Sequence, residues 1–154
     1  MRLAALTERA ENLIAKYDTK RAAILPVLHI AQESLGWVSP EAEEWAGQLI
    51  GISLAHVREV VSFYTLFNRQ PIGKYHIQVC GNMSCDLLGS SSVVDYLKEK
   101  LEIQPGGTTA DGKFTLSTVE CLGACEAGPM MQINDHYYGP LTPQRIDEIL
   151  DGLE

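Results

Sequence analysis

Cysteine is missing from the first 79 residues of this chain, and the four that follow fall in two short stretches. No apolar run approaches the roughly 20 residues that a membrane-spanning helix needs. Lysine and arginine are few, 12 against 20 acidic residues, and they form no stripe that could neutralise phosphates; nucleic acid and anionic membrane surfaces are therefore excluded as partners. No G-x-G-x-x-G follows a strand pattern, so NADH is not expected on this chain. C-x-x-C is absent, which removes dithiol catalysis. No Ser-His-Asp set or paired-carboxylate arrangement stands out, leaving no support for catalysis by the chain alone.

What is present reads as a globular protein: 45% apolar and 21% charged residues in a 154-residue chain, enough to bury a core without disulfide stapling. The first residues place Leu3, Leu6, Ala10, Leu13, Ile14 and Tyr17 at helical spacing among charges, and Glu8 and Glu11 argue against a targeting peptide. A soluble, cytoplasmic protein is expected. Charge divides unevenly. Residues 1–72 hold seven basic and eight acidic residues, whereas residues 73–154 hold five and twelve, so the acidity travels with the cysteines.

Residues 1–72 read as a helical domain. Asp18 or Thr19 can cap a helix running through "KRAAILPVLHIAQESLG", with Ile24, Leu25, Leu28 and Ala31 on one face, Pro26 as a candidate kink and Gly36 as the stop. "SPEAEEWAGQLIG" has Ser39 as N-cap, Pro40 at the first helical position and Gly51 at the end. A fourth helix follows Ser53. After "NRQPIGKY" the period changes, and residues 73–154 read as an α/β domain of order β-α-β-β-α. "YHIQVC" is a strand, "GNMSCDLLGS" a loop, and "SSVVDYLKEKLEI" a helix with Ser90 or Ser91 as cap. "KFTLSTVEC" is a strand ending at Cys121, "PMMQIN" and "HYYG" are short strands joined at Asn134–Asp135, and Thr142–Pro143 starts a last helix.

The cysteines form C-x4-C (Cys80, Cys85) and C-x3-C (Cys121, Cys125), each pair beginning at an expected strand end, with thirty-five residues between. Four buried thiols of no joint purpose are one reading; disulfides are another, at odds with a reducing compartment. Structural zinc also takes four cysteines from two loops, although its knuckles commonly use a two-residue spacing. A [2Fe–2S] centre fits best, because two irons spread four thiolates over a wider frame and C-x4-C loops serve such centres elsewhere. Gly81, Gly123 and Gly128, with Ala124 and Ala127, leave room for backbone amides near sulfur. Leu87, Leu88, Leu122, Pro129, Met130 and Met131 are candidates to keep water away.

In the contexts "YHIQVCGNMSCDLLGS" and "STVECLGACEAGPMMQIN", and along nearly the whole chain, the sequence resembles the thioredoxin-like [2Fe–2S] family that includes a small subunit of respiratory NADH:quinone oxidoreductase, complex I. The resemblance implies an N-terminal helical bundle followed by a thioredoxin-like domain whose Cys80, Cys85, Cys121 and Cys125 bind one [2Fe–2S] cluster. It also implies a large partner subunit, gripped by the helical domain, that carries FMN and the NADH site. The cluster would lie off the main electron route, exchanging single electrons with the flavin, in the peripheral arm of a membrane-attached complex. Small subunits of NAD-linked formate dehydrogenases and bidirectional hydrogenases share the pattern. A zinc-stabilised interaction module is the alternative of another class. Glu126 beside the last cysteine, and Pro140 before the last helix, depart from the family's habit. His29, His56, His76 and His136 are read as packing or surface residues, and the aromatics of "FYTLF" as core or partner interface.

Overall fold

The computed structural model describes residues 2–153. They form two compact units, one ending at Pro71 and the other beginning at Ile72. Met1 and Glu154, the outer limits of the two expected domains, lie outside the described residues.

The first unit holds helices α1 (Arg2–Ile14), α2 (Ile24–Leu35), α3 (Pro40–Ile50) and α4 (Leu54–Phe63). Thr19 makes no capping bond; the chain enters α2 through a 3₁₀ turn, Lys20–Ala23. Pro26 is the third residue of α2, where a backbone N–H would have no intrahelical partner, and the helix runs through it to Leu35 without a break. Gly36 then turns left-handed at φ +82° and stops it. In α3 the Ser39 hydroxyl accepts from the Ala42 N–H at 3.2 Å, and Gly51 closes the helix at φ +79°. Ser53 caps α4 by accepting from the His56 N–H. Ala10, Val27, Leu28, Ala31, Ala42, Ala46 and Val57 are fully buried, and so many alanines let the helices approach closely.

Past α4, Gln32 braces the chain: its amide donates to the Leu66 carbonyl and accepts from the Asn68 N–H. This pins Phe67 in the core beside His29, with ring centres 5.2 Å apart. Phe63, Tyr64 and Leu66 are left exposed, at 78%, 37% and 44%.

The second unit is one sheet in the order β2-β1-β3-β4, with strands β1 (Tyr75–Cys80), β2 (Phe114–Val119), β3 (Met131–Ile133) and β4 (His136–Tyr138). Strands β1 and β2 run parallel, as the crossover through helix α6 (Ser90–Leu101) requires, while β3 is antiparallel to β1 and to β4. Helix α7 (Pro143–Asp151) follows, its N-terminus capped by Thr142. The core joins Ile77, Val79, Leu97, Leu116, Met131 and Ile146, all fully buried. Asn134 carries the hairpin turn at φ +51° without a glycine; its side chain accepts from the His76 N–H and donates to the Lys74 carbonyl, which locks the turn to β1.

The β-α-β-β-α order is present, with the β3–β4 hairpin in the place of its third strand and three local differences. The expected loop after Cys80 contains a short helix, α5 (Met83–Leu87), started by the Asn82 side chain, which accepts from the Met83 N–H. The cap of α6 is Gly89 at φ +97°; of the two expected caps, Ser90 is buried in the first turn and the Ser91 hydroxyl donates to Asp86. Strand β2 ends at Val119, two residues before Cys121.

Candidate metal centre

The register of β1 against β2 sets Cys80 beside Val119, so both parallel strands release their loops at one end of the sheet. The second loop returns into β3 at Met131, next to Val79, at that same end. Both cysteine-bearing loops thereby leave the sheet at one end, brought there by sheet topology rather than by nearness in sequence.

Cys80 is the last residue of β1, and its backbone is fixed on both sides: its N–H donates to the Met130 carbonyl at 3.1 Å, and the next N–H, of Gly81, donates to Val119 at 2.8 Å. Cys85 lies on α5. Both are buried, at 2% and 1% exposure, with Met130, Leu122 and Ala124 packed against them. Cys121 and Cys125 are exposed; Cys125 begins a 3₁₀ turn that ends at Ala127.

The four thiols are free of disulfides. Cys85 and Cys121 lower the thiol value of Cys80, while Cys80 and Cys125 raise that of Cys85. Burial pushes the Cys80 thiol up, but N–H groups of Asn82 and Leu122 and the thiols of Cys85 and Cys121 outweigh it, so the group sits below the ordinary cysteine value. For Cys85, burial followed by the neighbouring Cys80 raises the value, opposed by the N–H of Met130. Gly123, at φ +75°, presents its N–H to the Cys121 sulfur at 3.3 Å.

Among the described residues, no three His, Cys, Asp or Glu side chains are gathered to hold a single ion. The donor set itself suits a [2Fe–2S] group: four soft sulfurs carried on two loops that leave one end of the sheet, with the Gly123 N–H directed at Cys121.

Several expectations for the loops change. Gly81 and Gly128 do not direct amides at sulfur; their N–H groups go to the carbonyls of Val119 and Cys125. Gly128 gives space instead, since a Cβ there would stand 2.8 Å from Leu88 Cδ1 and 3.6 Å from Cys85 Sγ. Leu87 and Leu88 are exposed, at 81% and 54%, so the dry side of the site is made by Met130, Leu122 and Ala124, while Met131 belongs to the main core. Glu126 is exposed on the turn after Cys125. Of the histidines, His56 pairs with Glu59, His29 with Phe67 and the buried His76 with Ser117 at 2.7 Å, and His136 is exposed on β4. No sequence pattern singles out Tyr137, yet its hydroxyl donates to the Leu122 carbonyl at 2.8 Å, inside the second cysteine loop. A pairing of residues fifteen apart leaves no sequence signal.

The sequence profile of the thioredoxin-like [2Fe-2S] ferredoxins matches residues 10–154. Over 148 residues the chain is 45% identical to an NADH-quinone oxidoreductase subunit of Rhizobium meliloti, covering 96% of this chain and 88% of that protein. It is 43% identical over 146 residues to NADH-quinone oxidoreductase subunit 2 of Thermus thermophilus, covering 93% and 81%. In three dimensions it resembles part of an air-oxidized NAD+-reducing [NiFe]-hydrogenase, with a TM-score of 0.74 at 23% identity over 84% of this chain and 22% of that one, a likeness of fold.

Proposed function

The chain belongs to the thioredoxin-like [2Fe–2S] ferredoxin family, and on that footing we propose that it is the small electron-transfer subunit of an NADH:quinone oxidoreductase. Cys80, Cys85, Cys121 and Cys125 hold one [2Fe–2S] cluster. When bound, that group supplies a one-electron centre beside the two-electron chemistry of a flavin. FMN and NADH sit on the neighbouring subunit, and this chain is an accessory rather than a catalyst by itself.

The protein's own groups set the conditions. The Gly123 N–H donates to the Cys121 sulfur and favours the more negative, reduced state, because a donor to a charged acceptor strengthens as that charge grows; the backbone N–H groups of Asn82, Leu122 and Met130 favour the ionised Cys80 and Cys85 in the same way. Met130 and Leu122 hold water off the Cys80–Cys85 side. Phe63, Tyr64 and Leu66, exposed on the helical unit, are the docking surface for the flavin-bearing subunit. Among the described residues no helix is long and apolar enough to cross a membrane; the proposed assembly puts the chain in a peripheral arm on the cytoplasmic side.

The observation that carries this reading is the release of both cysteine-bearing loops at one end of the sheet in a chain 45% identical, along nearly all its length, to an NADH-quinone oxidoreductase subunit of Rhizobium meliloti. Relatives of that name favour the quinone-linked complex over the hydrogenase and formate dehydrogenase alternatives. Anaerobically purified protein is expected to be reddish brown, to contain iron and sulfide in equal amounts and to bleach with dithionite. A colourless protein with stoichiometric zinc would end the cluster reading, and failure to co-purify with a flavoprotein would end the assembly reading.

A further inference from the structure

Tyr137 reaches from β4 to the loop that carries Cys121 and Cys125. Its hydroxyl donates to the carbonyl of Leu122, and the other end of that same peptide unit, the Gly123 N–H, points at the Cys121 sulfur. The left-handed φ of Gly123, +75°, belongs to this turned-back geometry, a conformation open to glycine and strained for most other residues. The Leu122–Gly123 amide thus links Tyr137 at one end to the Cys121 sulfur at the other, and Tyr137 holds it from outside. The ring is 56% exposed, so its hydroxyl could have been left to water, yet it bonds within the fold.

We propose that Tyr137 is a positioning residue for the cluster site, which aims and polarises the Leu122–Gly123 amide and so favours uptake of the electron at the cysteine cage. A hydrogen bond accepted by a carbonyl draws charge along its amide and strengthens the N–H at the far end, by roughly 10–30% per bond. Donors to cysteine sulfur favour the reduced state, so losing the tyrosine hydroxyl lowers the reduction potential. This inference rests on the reading that Cys80, Cys85, Cys121 and Cys125 hold a [2Fe–2S] cluster.

The test is a redox titration of the full-length, cluster-loaded chain, followed by electron paramagnetic resonance, for wild type, Tyr137→Phe and protein carrying 3-fluorotyrosine at 137. In Tyr137→Phe the equilibrium constant for reduction is expected to fall about threefold, a downward shift of about 28 mV at 59 mV per tenfold. The fluorinated ring, a stronger donor of nearly the same shape, shifts the potential upward at a mildly acidic pH where it stays protonated. Resonance Raman bands of the iron–cysteine bonds move in step. A Tyr137→Phe protein with wild-type cluster content and an unchanged potential overturns the proposal. Should that variant not load, an unmoved potential in the fluorinated protein overturns it equally. Wild-type protein without a cluster removes the underlying reading, an outcome separate from an unmoved potential in loaded protein.

Discussion

A single methyl group added at Gly139 should unseat the second unit, while the same methyl at Gly128 should hardly be felt. A Cβ built on Gly139 collides with the Ala127 carbonyl oxygen and stands 3.1 Å from Met130 Cβ. Neither neighbour can step aside. Ala127 ends the turn begun by Cys125 and is tied by its N–H to Ala124, and Met130 is 1% exposed with its carbonyl bonded to the Cys80 N–H. Overpacking against fixed backbone belongs at the upper end of the usual range, about 3 kcal/mol. For a cooperative unit of this size that lowers the melting temperature by roughly 10–20 °C. At Gly128 the tightest contact of an added Cβ is Leu88 Cδ1, at 2.8 Å, the far end of a side chain that is 54% exposed and free to swing into solvent. Gly128→Ala should therefore change stability by less than about 0.5 kcal/mol. Thermal melts of the two variants by circular dichroism, with cluster absorbance recorded in parallel, compare them directly. Equal melting temperatures for Gly139→Ala and wild type would refute the claim that backbone immobility decides between the two glycines.

Burial holds His76 below the ordinary histidine value of 6.5, so the unfolded chain binds the extra proton first. Its contribution is complete above that ordinary value and is lost as pH falls through the window beneath it, with a slope of at most about 1.4 kcal/mol per pH unit; urea midpoints across mildly acidic pH should show this, and His76→Gln should flatten it. Ser39→Ala removes the acceptor for the Ala42 N–H and should destabilise the helical unit by about 1 kcal/mol, read from its unfolding midpoint. Phe63→Ser, at a side chain 78% exposed, should leave stability within about 0.5 kcal/mol of wild type while weakening capture of the flavin-bearing subunit about 30-fold, measured by surface binding.

How much is legible in the sequence depends on whether a residue's role is local. Ser39, Pro40 and Gly51 act within their own helix, and sequence alone places them. Asn134 can be assigned to a turn for the same reason, although its bonds to His76 and Lys74, which explain why no glycine is needed, depend on the sheet. Helix α5 escapes because five residues are too few to display a period, so neither its existence nor the outward aim of Leu87 and Leu88 can be read. Ser90 has the residue type of a cap, but burial takes it into the helix and leaves Gly89 to make the turn. The cysteine spacing points to a common site. Which amides serve which sulfur does not show, because Asn82, Leu122 and Met130 act through backbone that any residue possesses.

The unequal burial of the two cysteine pairs gives the site a back and a front. Cys80 and Cys85 are sealed behind packed side chains, so oxygen, peroxide or a chelator meets Cys121 and Cys125 first. In isolation the chain is then most vulnerable at Cys121 and Cys125, and ageing in air should modify these front thiols before the rear ones. Shelter can be equally economical: a neighbour that covers Cys121 and Cys125 would close the exposed side without touching the sheet that carries them.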